Sequence, residues 1–447
     1  MNLKTFLRGI HLREEKELAE KSAIRRVLPE GEMVYPLSQH IGAPAKPVVA
    51  PGDRVLMGQQ IAEPDGMISA GICSSVSGTV KKIEPWMTVM GETRDAIVIE
   101  NDGQYTPAEG FGAKRDYKSL SPDEIRKIIR DAGIVGMGGA GFPTAVKLTP
   151  KNPESIDTII INGAECEPYL TSDHRLMLER PDELIEGLRV MLRLFPKAKG
   201  VIGIENNKPD AIKLLSEKLA GDPQISVQSL KTKYPQGGER MLIHAVTGRD
   251  IHSKMLPADA GCIVQNVATA IAVYQAVCCS TPLITRVMTV SGDGVNTPCN
   301  LEVYVGVSHQ KVLEAAGGLN CEPEKLISGG PMMGTALYTL DVPVQKTSAS
   351  ILAFAHDPVA ANPSTPCIHC GRCVSVCPVH LVPQMMQVAA DFDDFERFEK
   401  LHGMECIECG CCTAVCPAHR TLTQSFKYGK ASVNRLRREA KAAAAKD

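Results

Sequence analysis

Residues 48–84 string short β-branched runs between Pro-Gly, Pro-Asp-Gly and Ser-Gly turns, a pattern that predicts a small all-β unit of hairpins. Further on the period lengthens. Ser121 as N-cap, Pro122 at the first helical position, Asp123 and Glu124 in the first turn, and Ile125, Ile128 and Ile129 on one face predict a helix ending at Asp131. Apolar runs at 157–162, 200–205 and 225–230 predict buried strands, and they alternate with helical patterns at 182–195 and 209–219. That alternation predicts a parallel sheet packed with helices, whose ligands sit at the carboxyl ends of the strands. The longest apolar stretch, 262–279, is interrupted by Gln265, Asn266 and Gln275 and predicts a buried helix, not a membrane span. Residues 282–337 add two strands around a Gly-Asp-Gly turn and a helix near 309–316.

A chain of 447 residues carrying this succession of patterns predicts about three or four domains. Its formal charge of -2 offers no basic field for nucleic acid. Aromatic residues make up only 4%, so base-stacking platforms are not expected and the cores must be filled by Val, Ile, Leu, Ala and Met. The first fifteen residues have no apolar core segment and no small-residue cleavage site, so no signal peptide is expected. Sixteen cysteines without such a signal imply a reducing, cytoplasmic setting.

Eight of those cysteines change the picture most. Cys367, Cys370, Cys373 and Cys377, followed by Pro378, repeat their spacing at Cys406, Cys409, Cys412 and Cys416, followed by Pro417. Both runs read C-x2-C-x2-C-x3-C-P, the bacterial-ferredoxin spacing for a [4Fe-4S] cube, in which the fourth cysteine of each run ligates the other cube. One cluster is therefore assigned to Cys367, Cys370, Cys373 and Cys416, the second to Cys406, Cys409, Cys412 and Cys377. Zinc ribbons use paired spacings without the closing x3-C-P, and disulfides belong to oxidising compartments. Cys411 lies inside the second run, where the spacing favours Cys412 as ligand. Between the runs, Met385, Val388, Phe392, Phe395 and Phe398 recur at helical intervals, which predicts a helical linker with its aromatic face near the cubes.

Gly136, Gly138 and Gly141 satisfy G-x-G-x-x-G, yet the loop follows a helix and no acidic residue closes a strand about 20 positions later. What remains is the physics of close backbone approach: successive amides can surround a phosphate at a helix start. Asn162, Glu165 and Glu167 follow the first predicted strand of the sheet, and the segment 234–242, "YPQGGERML", follows the third. Acidic and amide side chains there supply acceptors for ribose, ring nitrogens and amide groups.

Taken in order, "GMGGAGFPTAVK", "NGAECEP", "YPQGGERML" and "QNVAT" resemble the flavin loop, acidic loop, nucleotide-gating loop and asparagine segment of the NADH-binding flavoprotein subunit of respiratory complex I. The 48–84 region resembles the barrel-sandwich fold of biotinyl and lipoyl carriers, through "GDRVLMGQQI" and "SGTV", but has no lysine at 65–69, so a docking or scaffold role is expected. With the paired cysteine runs added, the chain resembles the RnfC family, the NADH-facing subunits of Rnf (Rsx) ferredoxin:NAD oxidoreductases. The resemblance implies FMN phosphate and NADH pyrophosphate near Gly136, Gly138, Gly139, Gly141 and Phe142, with Lys147 as a charge partner. It also implies that Asn162, Glu165 and Glu167 approach flavin and nicotinamide, that Glu239 lies beside the nucleotide, and that Asn266 touches FMN. Complex I relatives favour an arginine where this chain has Met137, so one phosphate-directed charge is missing from the loop. The 282–337 region resembles the β-grasp (SLBB-like) module of the same relatives.

These readings combine into a multidomain α/β and α+β protein. Its expected parts are an N-terminal segment and barrel-sandwich domain (1–110), a Rossmann-like FMN/NADH domain (111–281), a β-grasp module (282–345), a helical dicluster ferredoxin domain (346–425) and a basic tail (426–447). The implied cofactors are two [4Fe-4S] clusters, FMN and NAD(H), with hydride transfer carried by FMN and no catalytic side chain. The implied setting is peripheral, on the cytoplasmic face of the membrane, among the other subunits of a membrane redox complex and, indirectly, ferredoxin. Two other readings compete: a flavin/iron-sulfur cobalamin reductase, and a non-enzymatic iron-sulfur relay on a degenerate scaffold.

Overall fold

The structure, a computed structural model, describes residues 3–444. The hairpin-rich region forms a four-stranded antiparallel sheet, in the order Glu32–Pro36, Thr93–Asn101, Gly78–Met87 and Arg54–Val55, and a three-stranded one of Lys46–Pro47, Gln60–Glu63 and Ile72–Cys73. Alternation decides the facing: Ile97 and Ile99 join Met33, Tyr35, Ile61 and Ile72 in the main core, while Ala96 and Val98 pack with Val34 under Trp86. That main core continues into Met288, Val290, Leu301 and Val303 of the second β region, so the two β units are fused through shared apolar burial.

The middle of the chain is a four-stranded parallel sheet in the order Ile225–Leu230, Lys199–Glu205, Thr158–Gly163, Cys262–Asn266. Helices Pro181–Arg193 and Val267–Cys279 pack together on it, around Leu184, Leu188, Ala270 and Val273. Gly187 has no room for a Cβ, which would stand 1.9 Å from the Ala270 carbonyl oxygen. The expected helix over 262–279 is thus corrected: its first five residues are the strand beside Thr158–Gly163, and the helix begins only after Asn266, whose side chain caps it by accepting from the Ala268 amide at 2.8 Å. Three apolar residues, Cys262 to Val264, ahead of Gln265 and Asn266 carry no period that separates a buried strand from a buried helix.

The second β region is a six-stranded sheet in the order Arg25–Arg26, Cys299–Tyr304, Thr285–Ser291, Ser350–Phe354, Lys325–Ser328, Thr335–Leu337. The expected boundary between 345 and 346 does not match this sheet. Ser350–Phe354 is an interior strand, parallel to Thr285–Ser291 and antiparallel to Lys325–Ser328, and Arg25–Arg26 from the N-terminal segment forms an edge.

The cysteine-rich region is helical. Its linker is two helices, Pro383–Asp391 and Phe395–Lys400, broken where Asp394 caps the second by accepting from the Arg397 amide. The break rotates the expected apolar stripe. Phe398 is fully buried with Met386, Ala389 and Ala390, whereas Phe392 is 80% exposed and Met385 and Val388 are also exposed. The expected tail boundary at 426 falls inside helix Leu422–Ala444, which buries Leu422, Phe426, Gly429 and Val433 against the linker helices before its outer turns become solvated.

Candidate cofactor sites

The glycine loop hangs between helix Pro122–Asp131 and the single-turn helix Thr144–Lys147. Its neck is closed by Gly136 N–H donating to Phe142 O at 2.9 Å and Thr144 N–H donating to Ile134 O at 3.0 Å. At Gly138 a Cβ would stand 2.8 Å from Asn266 Nδ2, so the loop lies directly on the asparagine. Gly141 adopts φ +72°, against Thr347, His40 and Gln39. Among the described residues the amides of Gly138, Gly139, Ala140 and Gly141 donate to no protein acceptor.

The structure brings most of the residues named for this site to one end of the parallel sheet. Lys147 Nζ reaches Glu239 Oε1 at 2.7 Å and the Val264 carbonyl at 2.9 Å, joining the glycine loop to helix Glu239–Thr247 and to the fourth strand. Asn162 Nδ2 donates to Gly237 O at 2.8 Å, closing the first strand end onto the 234–242 loop. Asn266 Nδ2 donates to Asp173 Oδ2 at 2.6 Å. Burial, reinforced by the charge of Glu165, pushes the Asp173 carboxyl up to about 7.

Glu165 and Glu167 part company. Glu165, at φ +47°, turns its carboxylate onto the start of helix Ser172–Glu179, accepting from the amides of Asp173 at 2.6 Å and His174 at 3.3 Å. Glu167 turns toward the cysteine-rich region. It accepts from Met332 N–H at 3.0 Å, and burial raises its carboxyl to about 7. Two buried lysines that no motif announced hold the acidic loop: Lys208 Nζ donates to Ala164 O at 2.6 Å, and Lys16 Nζ to Glu165 O at 2.9 Å and Glu167 O at 3.0 Å. Burial lowers the Lys16 pKa, with Glu165 opposing.

The donor set suits a phosphorylated, hydrogen-bonding heterocycle. Besides the free amides, buried side-chain atoms without a partner among the described residues include Gln39 Nε2, Thr144 Oγ1 and Gln265 Nε2, on segments at or beside this loop, and Gln236 Nε2 on the 234–242 segment. Buried polar atoms are ordinarily paired, so their concentration here marks a place where a ligand completes the bonding.

The eight cysteines of the two runs line two recesses. Cys367, Cys370 and Cys373 share one with Cys416, walled by Gln384, Arg420 and Leu422. Cys406, Cys409 and Cys412 share the other with Cys377, walled by Leu381, Met386 and Phe426; Cys411 also lines it. Among the described residues no three His, Cys, Asp or Glu side chains converge on a single-ion site. Thiolates brought around a recess in fours are the donor set of a cube, which spreads its ligands over four irons.

The second recess is docked on the parallel-sheet domain. Tyr234 O–H donates to Cys409 O at 2.8 Å, and the Gly410 turn lies against the Met332 carbonyl. Residues near the N-terminus lash the parts together: Ile10 and Tyr234 exchange backbone bonds of 2.8 Å, Gly9 N–H donates to Val376 O, and Arg8 Nη1 to Val374 O.

Comparison with known proteins matches each part. Residues 4–104 match the RnfC barrel sandwich hybrid domain, 129–275 the Nuo51 FMN-binding domain, 287–336 the SLBB domain and 359–417 the 4Fe-4S dicluster domain. The chain is 41% identical, over 98% of its length and 100% of the relative's, to a subunit of the Na(+)-translocating ferredoxin:NAD(+) oxidoreductase complex of Acetobacterium woodii. It belongs to the RnfC family. Its counterpart in the proton-translocating ferredoxin:NAD(+) oxidoreductase complex of Clostridium ljungdahlii is 43% identical over 90% of this chain and 88% of that one. Among solved structures, an NAD+-reducing [NiFe]-hydrogenase in the air-oxidized state shares the fold, with TM-score 0.54 and 22% identity over 74% of this chain and 69% of that chain. Family membership accords with the barrel-sandwich, flavin-type α/β, β-grasp and dicluster parts expected from the sequence.

Proposed function

We propose that this protein exchanges electrons between NAD(H) and the other subunits of an ion-translocating ferredoxin:NAD(+) oxidoreductase complex, with FMN and two [4Fe-4S] clusters as resident groups. No helix among the described residues is long and apolar enough to cross a membrane. In this reading ion movement falls to the other subunits of the complex, and this protein sits peripherally on their cytoplasmic face. NADH gives up two electrons as a hydride while a cube takes one; FMN, when bound, supplies the conversion between them.

The observation that carries the reading is the seating of the second cysteine recess, through Tyr234, on the domain that holds the glycine loop, with Met332 of the β-grasp module against its Gly410 turn. The chain's own residues have three tasks. Gly138–Gly141 present amides to a phosphate. Asn162, Glu239 and Asn266, fixed by their bonds to Gly237, Lys147 and Asp173, shape the pocket at the strand ends. Cys406, Cys409, Cys412 and Cys377 hold the cube nearer that domain, and Cys367, Cys370, Cys373 and Cys416 the outer one.

Anaerobic purification with iron, sulfide and FMN tests this reading. It should yield about eight irons per chain, bound FMN, and NADH-dependent bleaching of the cluster absorbance. Clusters without flavin uptake would favour the iron-sulfur relay, and NADH-driven reduction of cob(III)alamin in preference to an artificial one-electron acceptor would favour the cobalamin reductase.

A further inference from the structure

The loop's missing arginine, at Met137, raises the question of what balances a phosphate there. Lys147 is not free for the task, since its ammonium is paired with Glu239. The Met137 side chain points inward, only 3% exposed, and its thioether lies 2.7 Å from Nη1 of Arg286. Arg286 stands on strand Thr285–Ser291 of the β-grasp sheet, outside the flavin-type domain. It is 4% exposed, yet its protein partners are not carboxylates: Nε donates to Ser348 O at 3.0 Å and Nη2 reaches Met137 O at 3.5 Å. Asp173 acts on it only through space, and burial lowers the guanidinium pKa to about 10. A buried cation without an ion-pair partner is destabilising, and this one touches the residue that precedes the free amides of Gly138–Gly141.

We propose that Arg286 of the β-grasp module is the fixed positive charge of the glycine-loop phosphate site, so that the flavin phosphate is held jointly by two domains. The inference rests on the FMN reading above and adds to it the source of the countercharge. A guanidinium keeps its charge near neutral pH and offers several donors in a rigid fork, which suits a phosphate better than an ammonium. Placed on the neighbouring sheet, it also makes occupancy of the loop depend on the contact between the two domains.

The test compares FMN with riboflavin, which lacks the phosphate, in fluorescence titrations of the full-length, cluster-loaded and flavin-stripped protein. The unaltered protein should prefer FMN, and Arg286→Met should cut that preference by roughly 30-fold or more, the scale of removing one partner of a buried charged pair, while leaving riboflavin affinity and iron content in place. Adding Met137→Arg to Arg286→Met should restore the preference from the other side of the contact. An unchanged FMN preference in Arg286→Met overturns the proposal, as does an equal loss for both flavins, which would make Arg286 a structural tie. Where Arg286→Met also lowers the iron content, the double variant decides: recovered preference supports the charge, and none overturns it. If the unaltered protein takes up no FMN at all, the functional reading falls and this assignment with it.

Discussion

The two cysteine runs share one spacing and live in different surroundings. In the first, Cys367 and Cys370 are exposed, and Ile368 between them is 66% exposed. In the second, Cys409, Cys411 and Cys412 are buried. Tyr234 holds the Cys409 carbonyl, and Lys430 of the last helix donates to the Cys406 carbonyl at 2.9 Å while pairing with Glu408. Ligand spacing decides that a cube forms; the walls around the loop decide whether it faces solvent or the rest of the protein. Burial and hydrogen bonding are the levers that tune a cluster's potential, so the same motif twice should give two unequal redox centres.

The harshest way to break this comparison is to remove one cube at a time. Cys412→Ala and Cys370→Ala should each lower the iron content from about eight to about four per chain, but with opposite consequences. Without the inner cube, NADH should no longer reduce the outer one. Without the outer cube, NADH should still reduce the inner. Electron paramagnetic resonance after NADH addition reads the difference, and equal behaviour of the two variants would mean that the docking has no functional direction.

Phe398 comes next. Its ring fills the space beside Gly403 and Gly429, where a Cβ would come within 2.3 Å and 3.1 Å of it. Truncation to Ala should cost about 3–5 kcal/mol in the ferredoxin unit, read as earlier thermal loss of cluster absorbance, with the enclosed second cube suffering more than the exposed first. Tyr234→Phe is milder. It removes the one O–H bond to Cys409 O, a loss of about 1 kcal/mol, and should slow inner-cluster reduction without changing iron content.

A change expected to touch neither cradle completes the series. Lys346 is buried where the barrel-sandwich, parallel-sheet and β-grasp parts meet; its ammonium donates to Gly133 O at 2.7 Å and also to Gly71 O. Burial lowers its pKa from 10.5 to about 8. Between those values the unfolded chain holds the proton that the folded one has released, so stability rises as pH climbs from about 8 to 10.5. Lys346→Met should abolish that rise in the melting temperature while both clusters keep their spectra.

Much of this architecture was legible because it is written in local periods. The cysteine spacing, the strand–helix alternation and the Ser121 cap each use neighbours in sequence, and the Ser121–Glu124 capping box is formed. What was not legible depends on distant segments. Nothing in 350–354 says that it pairs with the strand at 285–291, and the 262–266 strand has too few apolar residues to show a period. Arg286, Lys16 and Lys208 are single charges without a motif, and only the folded chain reveals that each is buried against a loop of the candidate site. For Glu165, an acidic residue at a strand end reads as a ligand, while the turn at φ +47° commits it to a helix start.

The strap formed by Arg8, Gly9 and Ile10 has a consequence for how the chain is made. Arg8 leaves the ribosome long before its acceptor, Val374, which lies 366 positions later. Ile10 can pair with Tyr234 once that residue is made, but the Arg8 and Gly9 bonds close only when the cysteine-rich region emerges. Docking of the cysteine-rich region through this strap is thus a late step, completed only after the intervening chain has been made.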